Sequence, residues 1–388
     1  MEVLCILNSG ETKLPKVRAL TMGHQRWDTR IWLKQVQTLK NAKMLIAYEV
    51  ADGQGDSIVN GITIRDIGGL KGRGFWPRIK WLVNAVKESE IKKEEILHFH
   101  DPLFLPAAIW LKLKGITIIY DVHEDYPKQV KNWQLPAYIR YGASYFYSIM
   151  ERVAGKLFDG IITATPKIAE RFPPQKTVVV QNFPLLSELV QKDNISSYLQ
   201  RGHIVAYIGG ISELRGIYEI VQAVDLLKDA FEVKLVLGGS FSPPILEERI
   251  RQESGWRKVE YIGWLDRKQV AEALSKARAG LVIIHPEPRY MVSYPVKMFE
   301  YMSAGLPVIA SDFELWKKII NDAGCGLLVD PTNPQEIASA IEWIFEHPRN
   351  AEEMGLKGRK AVEEQYNWEH EARKLLNFYI NFQFNDHK

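Results

Sequence analysis

Cysteine is scarce in this sequence: 388 residues contain two, Cys5 and Cys325. So far apart, they make neither a metal-ligand spacing nor a disulfide framework, and a reducing compartment is expected. Long apolar runs are missing as well. No stretch reaches 18 uncharged apolar residues, so nothing is expected to span a membrane. The opening MEVLCIL has no basic leader and no long apolar region behind it, so no secretory signal is expected either. The excess of one charge is slight. Lys and Arg number 50 and Asp and Glu 47, and the +3 that remains is too little for the footprint of a nucleic-acid binder. No G-x-G-x-x-G lies between a strand pattern and a helix pattern, which argues against the usual dinucleotide site. These absences point to a cytoplasmic protein, with peripheral contact on the inner face of a membrane left open.

What is present describes a globular chain, with 46% hydrophobic and 25% charged residues. The length exceeds one ordinary core, so two α/β domains are expected. Residues 3–7 read as a first buried strand turned by Asn8-Ser9-Gly10, and helical periodicity follows the polar loop GHQRWDTR. Strand patterns (MLIAYEV, GITIRDI, ITIIYD, GIITAT, TVVVQN) then alternate with helical ones, as in a parallel sheet of Rossmann type. The polar residues 187–202 read as a linker. From HIVAYIGG to GCGLLVD the alternation resumes, and the tail is helical with no strand to pair. The expected limits are 1–186 for the first domain, 203–365 for the second, and 366–388 for a helix that braces the two. A cleft is expected between the domains.

The stretch SYPVKMFEYMSAGLPVIAS, residues 293–311, concentrates the chemistry. Pro295 suits a helix start and Gly305 a helix end. Lys297, Glu300 and Tyr301 share one face. Lys297 and Glu300 fit a solvated ion pair as well as they fit an anion site. Gly209 and Gly210 end a strand before a helix, a turn that exposes N–H groups to a phosphate, with Arg215 one turn in. Asp28 and Arg30 precede the first helix, where a loop ion pair or a helix cap accounts for them equally. His98 and His100 alternate along a strand and therefore share a side, fit for a binding cleft or for a structural pair. Asp121-Val-His-Glu-Asp125 offers metal ligands in one loop without an evident partner cluster, so no metal site is expected. Residues 133–158 are rich in Tyr and Phe, either a core helix with a polar edge or an amphipathic surface for lipid.

These residues resemble the retaining nucleotide-sugar glycosyltransferases of GT-B architecture, glycosyltransferase family 4, and most of all the bacterial branch that builds surface polysaccharides and glycoconjugates. The resemblance rests on HQRWDTRIWLKQ, HFHDPLFLPA and IIYDVHEDYP in the first half. In the second it rests on YIGGISELRGIYEIVQAV, YIGWL and YPVKMFEYMSAGLPVIASD. It implies two Rossmann-like domains facing across a cleft, with the C-terminal helix crossing back to the first. It implies hexosyl transfer from a UDP- or GDP-sugar to a glycan or lipid-linked acceptor, with no metal, no cofactor and no D-x-D motif. Residue by residue, it implies that Glu300 binds the donor ribose, that Arg215 grips the diphosphate with Gly209 and Gly210, and that the Gly263-Trp264-Leu265 loop reads the base. His100 would lie near the donor sugar, while Asp28, Arg30 and Glu124 serve the acceptor side. Two positions depart from the pattern. Val292 replaces a glutamate that usually touches the donor sugar, and Gly210 replaces an arginine, whose charge Lys297 is placed to restore. The competing reading is a non-catalytic nucleotide-sugar binder of the same fold.

Overall fold

Two parallel sheets organise the chain in a computed structural model that describes residues 14–72, 75–133, 135–187, 198–228 and 232–385. One unit ends at Asn182 and takes up the chain again from Glu371; the other is Phe183–His370. The strand expected at residues 3–7, Cys5, and most of the expected linker lie outside the described residues.

The first unit holds eight strands, β1 (Val17–Thr21), β2 (Leu45–Val50), β3 (Ser57–Val59), β4 (Ile62–Asp66), β5 (Ile96–Phe99), β6 (Thr117–Val122), β7 (Gly160–Thr163) and β8 (Thr177–Val179). Their order in the sheet is β3-β4-β2-β1-β5-β6-β7-β8, and only the β3–β4 pair is antiparallel. Strand β1 has no counterpart in the sequence reading, because its second residue is Arg18. That guanidinium is buried, and it is held by Glu95 at 2.8 Å and Glu49 at 2.7 Å. Two carboxylates from separate segments thus make a charged residue tolerable in a central strand. Apolar layers line both faces of the sheet, one around Phe99, Tyr120 and Phe158, the other around Ile31, Tyr48 and Ile64.

The second unit has six parallel strands, β9 (Ile204–Ile208), β10 (Lys234–Gly238), β11 (Val259–Gly263), β12 (Ala279–Val282), β13 (Val308–Ser311) and β14 (Gly326–Val329), in the order β11-β10-β9-β12-β13-β14. This is the doubly wound order, with its reversal between β9 and β12. The described end of the expected linker is packed into this unit. Tyr198 is buried and its hydroxyl donates to the Arg278 carbonyl at 2.7 Å.

The last helix, Trp368–Asn385, starts in the second unit and belongs to the first from Glu371 onward. Glu371 accepts from the Gln181 N–H at 2.8 Å, and Tyr379 is fully buried in the first unit. A tail without a strand partner is fixed by these contacts.

Candidate functional site

In open α/β sheets, groups beyond the carboxyl ends of the strands at the order reversal converge on a ligand. In the second unit that place is the turn after β9. Gly209, at φ +133°, occupies backbone space that a side-chain-bearing residue rarely adopts, and a Cβ there would stand 3.2 Å from Lys297 Cε. A Cβ at Gly210 would overlap the Arg215 guanidinium, which donates to the Gly210 carbonyl at 3.0 Å. The departure at Gly210 therefore has a local cause: Arg215 folds into the room that a side chain at 210 would take.

Helix Val296–Ser303 delivers the partner charge, with Pro295 as its cap and Gly305, at φ +69°, just past its end. The Tyr301 hydroxyl accepts from the Ile208 N–H at 2.9 Å, which pins this helix face to the end of β9. Lys297 Nζ then lies 3.5 Å from the centroid of the Tyr207 ring. The residue as a whole is half-buried, but its ammonium nitrogen is shut off from solvent and has no hydrogen-bond partner among the described residues. Burial, with Arg215 repelling, holds the Lys297 pKa well below that of an ordinary lysine, and Glu300 only partly offsets this. A cation kept beside a ring and another cation has strong reason to attract an anion.

The solvated Lys297–Glu300 pair does not form. Glu300 is 8% exposed, and its Oε1 accepts from Arg267 Nη1 at 2.7 Å. Arg267 was not singled out in the sequence, though the capping box of Asp266 and Gln269 marks the helix start that carries it. The preceding loop has Gly263 at φ +68°, Trp264 74% exposed, and Leu265 packed on the core. Val292 is exposed beyond the short helix Pro288–Met291.

The first unit gathers its own polar cluster at the carboxyl ends of β1, β5 and β6. His98 and His100 do share a side, with ring centroids 4.4 Å apart. Strands β5 and β6 are parallel neighbours, so both rings come up against Asp121, and the ligand atoms of the three lie within 4.8 Å of one another. Asp121 thus has partners that its own loop did not reveal. Its carboxylate is already neutralised, however: Arg30 Nη2 donates at 2.9 Å and Nε at 3.2 Å, and Gln35 Nε2 donates at 2.6 Å. Burial opposes ionisation of Asp121, yet Arg30 and the nearby histidines hold it well below the carboxylate range. The guanidinium's planar fork suits this carboxylate and takes up both of its oxygens.

His100 is buried, and its Nδ1 lies 3.2 Å from His123 Nε2 and 3.4 Å from Asp121. Burial lowers its pKa to about 4, with Asp121 opposing, so the ring is neutral in ordinary buffers. Its Nε2 is buried without a partner among the described residues. Arg30 is 4% exposed and occupied by Asp121 and the Val180 carbonyl. Asp28 caps helix Thr29–Val36 by accepting from Arg30 N and Ile31 N. Of the three residues expected on the acceptor side, Glu124 alone is exposed. The aromatics of residues 133–158 are largely turned outward. On helix Ala137–Leu157, Tyr138, Tyr141 and Tyr145 are 78%, 62% and 69% exposed.

Residues 190–361 match the family model described as "Glycosyl transferases group 1". A phosphatidyl-myo-inositol mannosyltransferase of Mycobacterium leprae is 23% identical over 311 residues, covering 77% of this chain and 75% of that protein. Among solved structures, sucrose-phosphate synthase of Thermosynechococcus elongatus superposes with a TM-score of 0.74 at 18% identity, covering 96% of this chain and all of the other. Anabaena HepE, solved in complex with UDP-glucose, gives 0.68 at 13% identity, with 94% and 99% covered. The chain therefore has the GT-B fold, two Rossmann-like units with a returning C-terminal helix, and is related to the group 1 glycosyl transferases through its second unit.

Proposed function

We propose that this chain is a retaining hexosyltransferase that takes a sugar from a UDP- or GDP-sugar without a metal and passes it to a glycan or lipid-linked acceptor. The surface-polysaccharide branch is the one its motifs resemble. The observation that carries this reading is the buried Lys297 ammonium, without a hydrogen-bond partner among the described residues, beside Arg215 at the Gly209–Gly210 turn, with Glu300 one turn further along the same helix. Two cations at a glycine turn suit a diphosphate, and the charge has to come from them, because the Gly209 N–H donates to the Gly238 carbonyl at 2.9 Å and the Ile211 N–H to the Ser240 carbonyl at 3.0 Å. Glu300, held by Arg267 through one oxygen, has the other to accept from vicinal ribose hydroxyls. Gly263 and Leu265 shape a loop for the base, and Trp264 adds an exposed aromatic surface. The relatives' printed names, a mannosyl transfer and a UDP-glucose complex, lie in the same chemical class.

Charge that grows on the departing diphosphate would be met by Arg215 and Lys297, the work a divalent metal does elsewhere. A double displacement needs a carboxylate against the opposite face of the sugar. Val292 cannot be one, so a same-face transfer is the mechanism proposed, in which the leaving phosphate oxygen takes the acceptor's proton. His100, neutral and buried, orients the sugar through its free Nε2. The test is incubation with UDP-glucose, UDP-N-acetylglucosamine and GDP-mannose, with and without chelator, reading nucleotide release and the anomeric configuration of the product. Retention with chelator-insensitive release is expected. Binding of nucleotide without release from any donor would instead establish the non-catalytic reading, and an inverted product would sink the mechanism.

A further inference from the structure

The first sheet also reverses its order once, between β1 and β5, and there a second pair of side chains meets. His24 follows β1 and Asp101 follows β5. Their atoms Nδ1 and Oδ1 are 2.9 Å apart. Asp101 is 5% exposed, and its other oxygen accepts from the Thr21 hydroxyl at 2.8 Å and from the Met22 N–H at 2.6 Å. Burial opposes ionisation of Asp101, yet these bonds hold its pKa at about 2. Gly23 is part of the same construction, since a Cβ there would stand 2.7 Å from Asp101 Oδ1. A fully engaged buried carboxylate thus fixes one ring nitrogen of a histidine whose side chain is 30% exposed. The other nitrogen, Nε2, makes no hydrogen bond among the described residues. In the neutral ring Nδ1–H donates to Asp101 and Nε2 is left as an acceptor.

We infer that His24, oriented by Asp101, is the group that receives a hydrogen bond from the attacking hydroxyl of the acceptor. The inference rests on the glycosyltransferase reading above and adds a residue to it. The geometry matches the use of a carboxylate to lock an imidazole's tautomer and direction. In the bound complex the hydroxyl donates to Nε2 and is held in place; as its oxygen bonds to the sugar and the sugar–phosphate bond breaks, the O–H turns from Nε2 to the departing diphosphate oxygen, which takes the proton. Groups facing His24 are Asp101, Asp28, Asp121, His123 and His100. Burial pushes the His24 pKa down, but Asp101, with Asp28 and Asp121, raises it above the ordinary 6.5. Protonated His24 cannot accept, so transfer falls as pH drops through that raised value.

The experiment measures nucleotide release from UDP-glucose, UDP-N-acetylglucosamine and GDP-mannose between pH 5 and 9, with water and with octyl glucoside as acceptors. Wild type, His24→Gln, His24→Ala and Asp101→Asn are compared, and calorimetry with UDP and GDP reports on the other unit. The expected result is an acidic limb above pH 6.5 in wild type, lost in both His24 variants and moved to lower pH in Asp101→Asn. Turnover should fall at least tenfold in His24→Ala and less in His24→Gln, which keeps an acceptor atom near Nε2, with nucleotide affinity unchanged. A limb that persists in His24→Gln, or a wild-type rate in His24→Ala, overturns the assignment. A wild type that binds neither nucleotide removes the glycosyltransferase reading, and this inference with it.

Discussion

Four residues decide most of the proposed chemistry, and three measurements separate their roles. In the proposed reaction Lys297 and Arg215 meet charge that appears late, so Lys297→Ala or Arg215→Ala should lower turnover at saturating donor by about 10²–10³, roughly the cost of one lost oxyanion donor. A change confined to the Michaelis constant would assign them to ground-state binding instead. Glu300 is proposed to hold the bound nucleotide. Glu300→Ala should weaken UDP or GDP binding by about 1.5–3 kcal/mol per charge-assisted bond lost, and Glu300→Gln by less. Because Glu300 also anchors Arg267, the control is a 2′,3′-dideoxy nucleotide; if it binds wild type as well as the natural one does, the ribose role is wrong. His100 is tested by replacing it with Asn or Ala. With its pKa near 4, turnover should show no limb from His100 at pH 6.5, and Asn should rescue more than Ala. Equal loss in both variants, with a limb that vanishes near neutrality, would make His100 the base.

Two helices carry the interest at the next scale. Helix Val296–Ser303 is short and would be marginal alone, but the Tyr301 bond to Ile208 locks its face and so fixes where Lys297 and Glu300 point. Helix Ala137–Leu157 behaves otherwise. It buries small and polar residues (Ser144, Ala154, Gly155, Glu151) and exposes Tyr138, Tyr141, Tyr145 and Phe146. Lys131 lies over Tyr141, and Arg152 and Lys156 are exposed on the same helix. An aromatic face with a basic edge is the chemistry of an anionic lipid surface. No helix among the described residues is long and apolar enough to cross a membrane. Co-sedimentation with phosphatidylglycerol-containing liposomes at low salt is expected, weakening with added salt and in a Tyr138→Ser, Tyr141→Ser, Tyr145→Ser triple variant. Indifference to lipid would end the idea.

For the whole molecule, the first unit's histidine cluster sets a pH window. His98, His100 and His123 are all lowered below 6.5, chiefly by burial. As pH falls the unfolded chain takes up these protons first, so stability is intact above 6.5 and drains between 6.5 and, for His100, about 4. Asp101, held at about 2, adds a further loss below 3.8. His24 is raised, so its contribution runs the other way and is lost as pH rises through its folded value. Each pKa unit is worth about 1.4 kcal/mol. Hydrogen exchange followed by mass spectrometry should show amides of β1, β5 and β6 losing protection before those of β9 and β12 as pH drops from 6.5 to 4; simultaneous loss would contradict this. The alternation of strand and helix patterns was enough to specify two doubly wound units, because side-chain periodicity is local. The Lys297–Glu300–Tyr301 face was equally legible, being fixed by helical spacing alone. The sequence could not show which partner each charge takes. Arg18 hid a central strand until Glu49 and Glu95 neutralised it, and Glu300 chose Arg267 over Lys297. Asp101 met His24 because the parallel strands β1 and β5, distant in sequence, end side by side, and Asp121 of β6 met Arg30 on the helix Thr29–Val36. Ion pairing depends on distance in space, and that is set by strand order, which no local pattern contains.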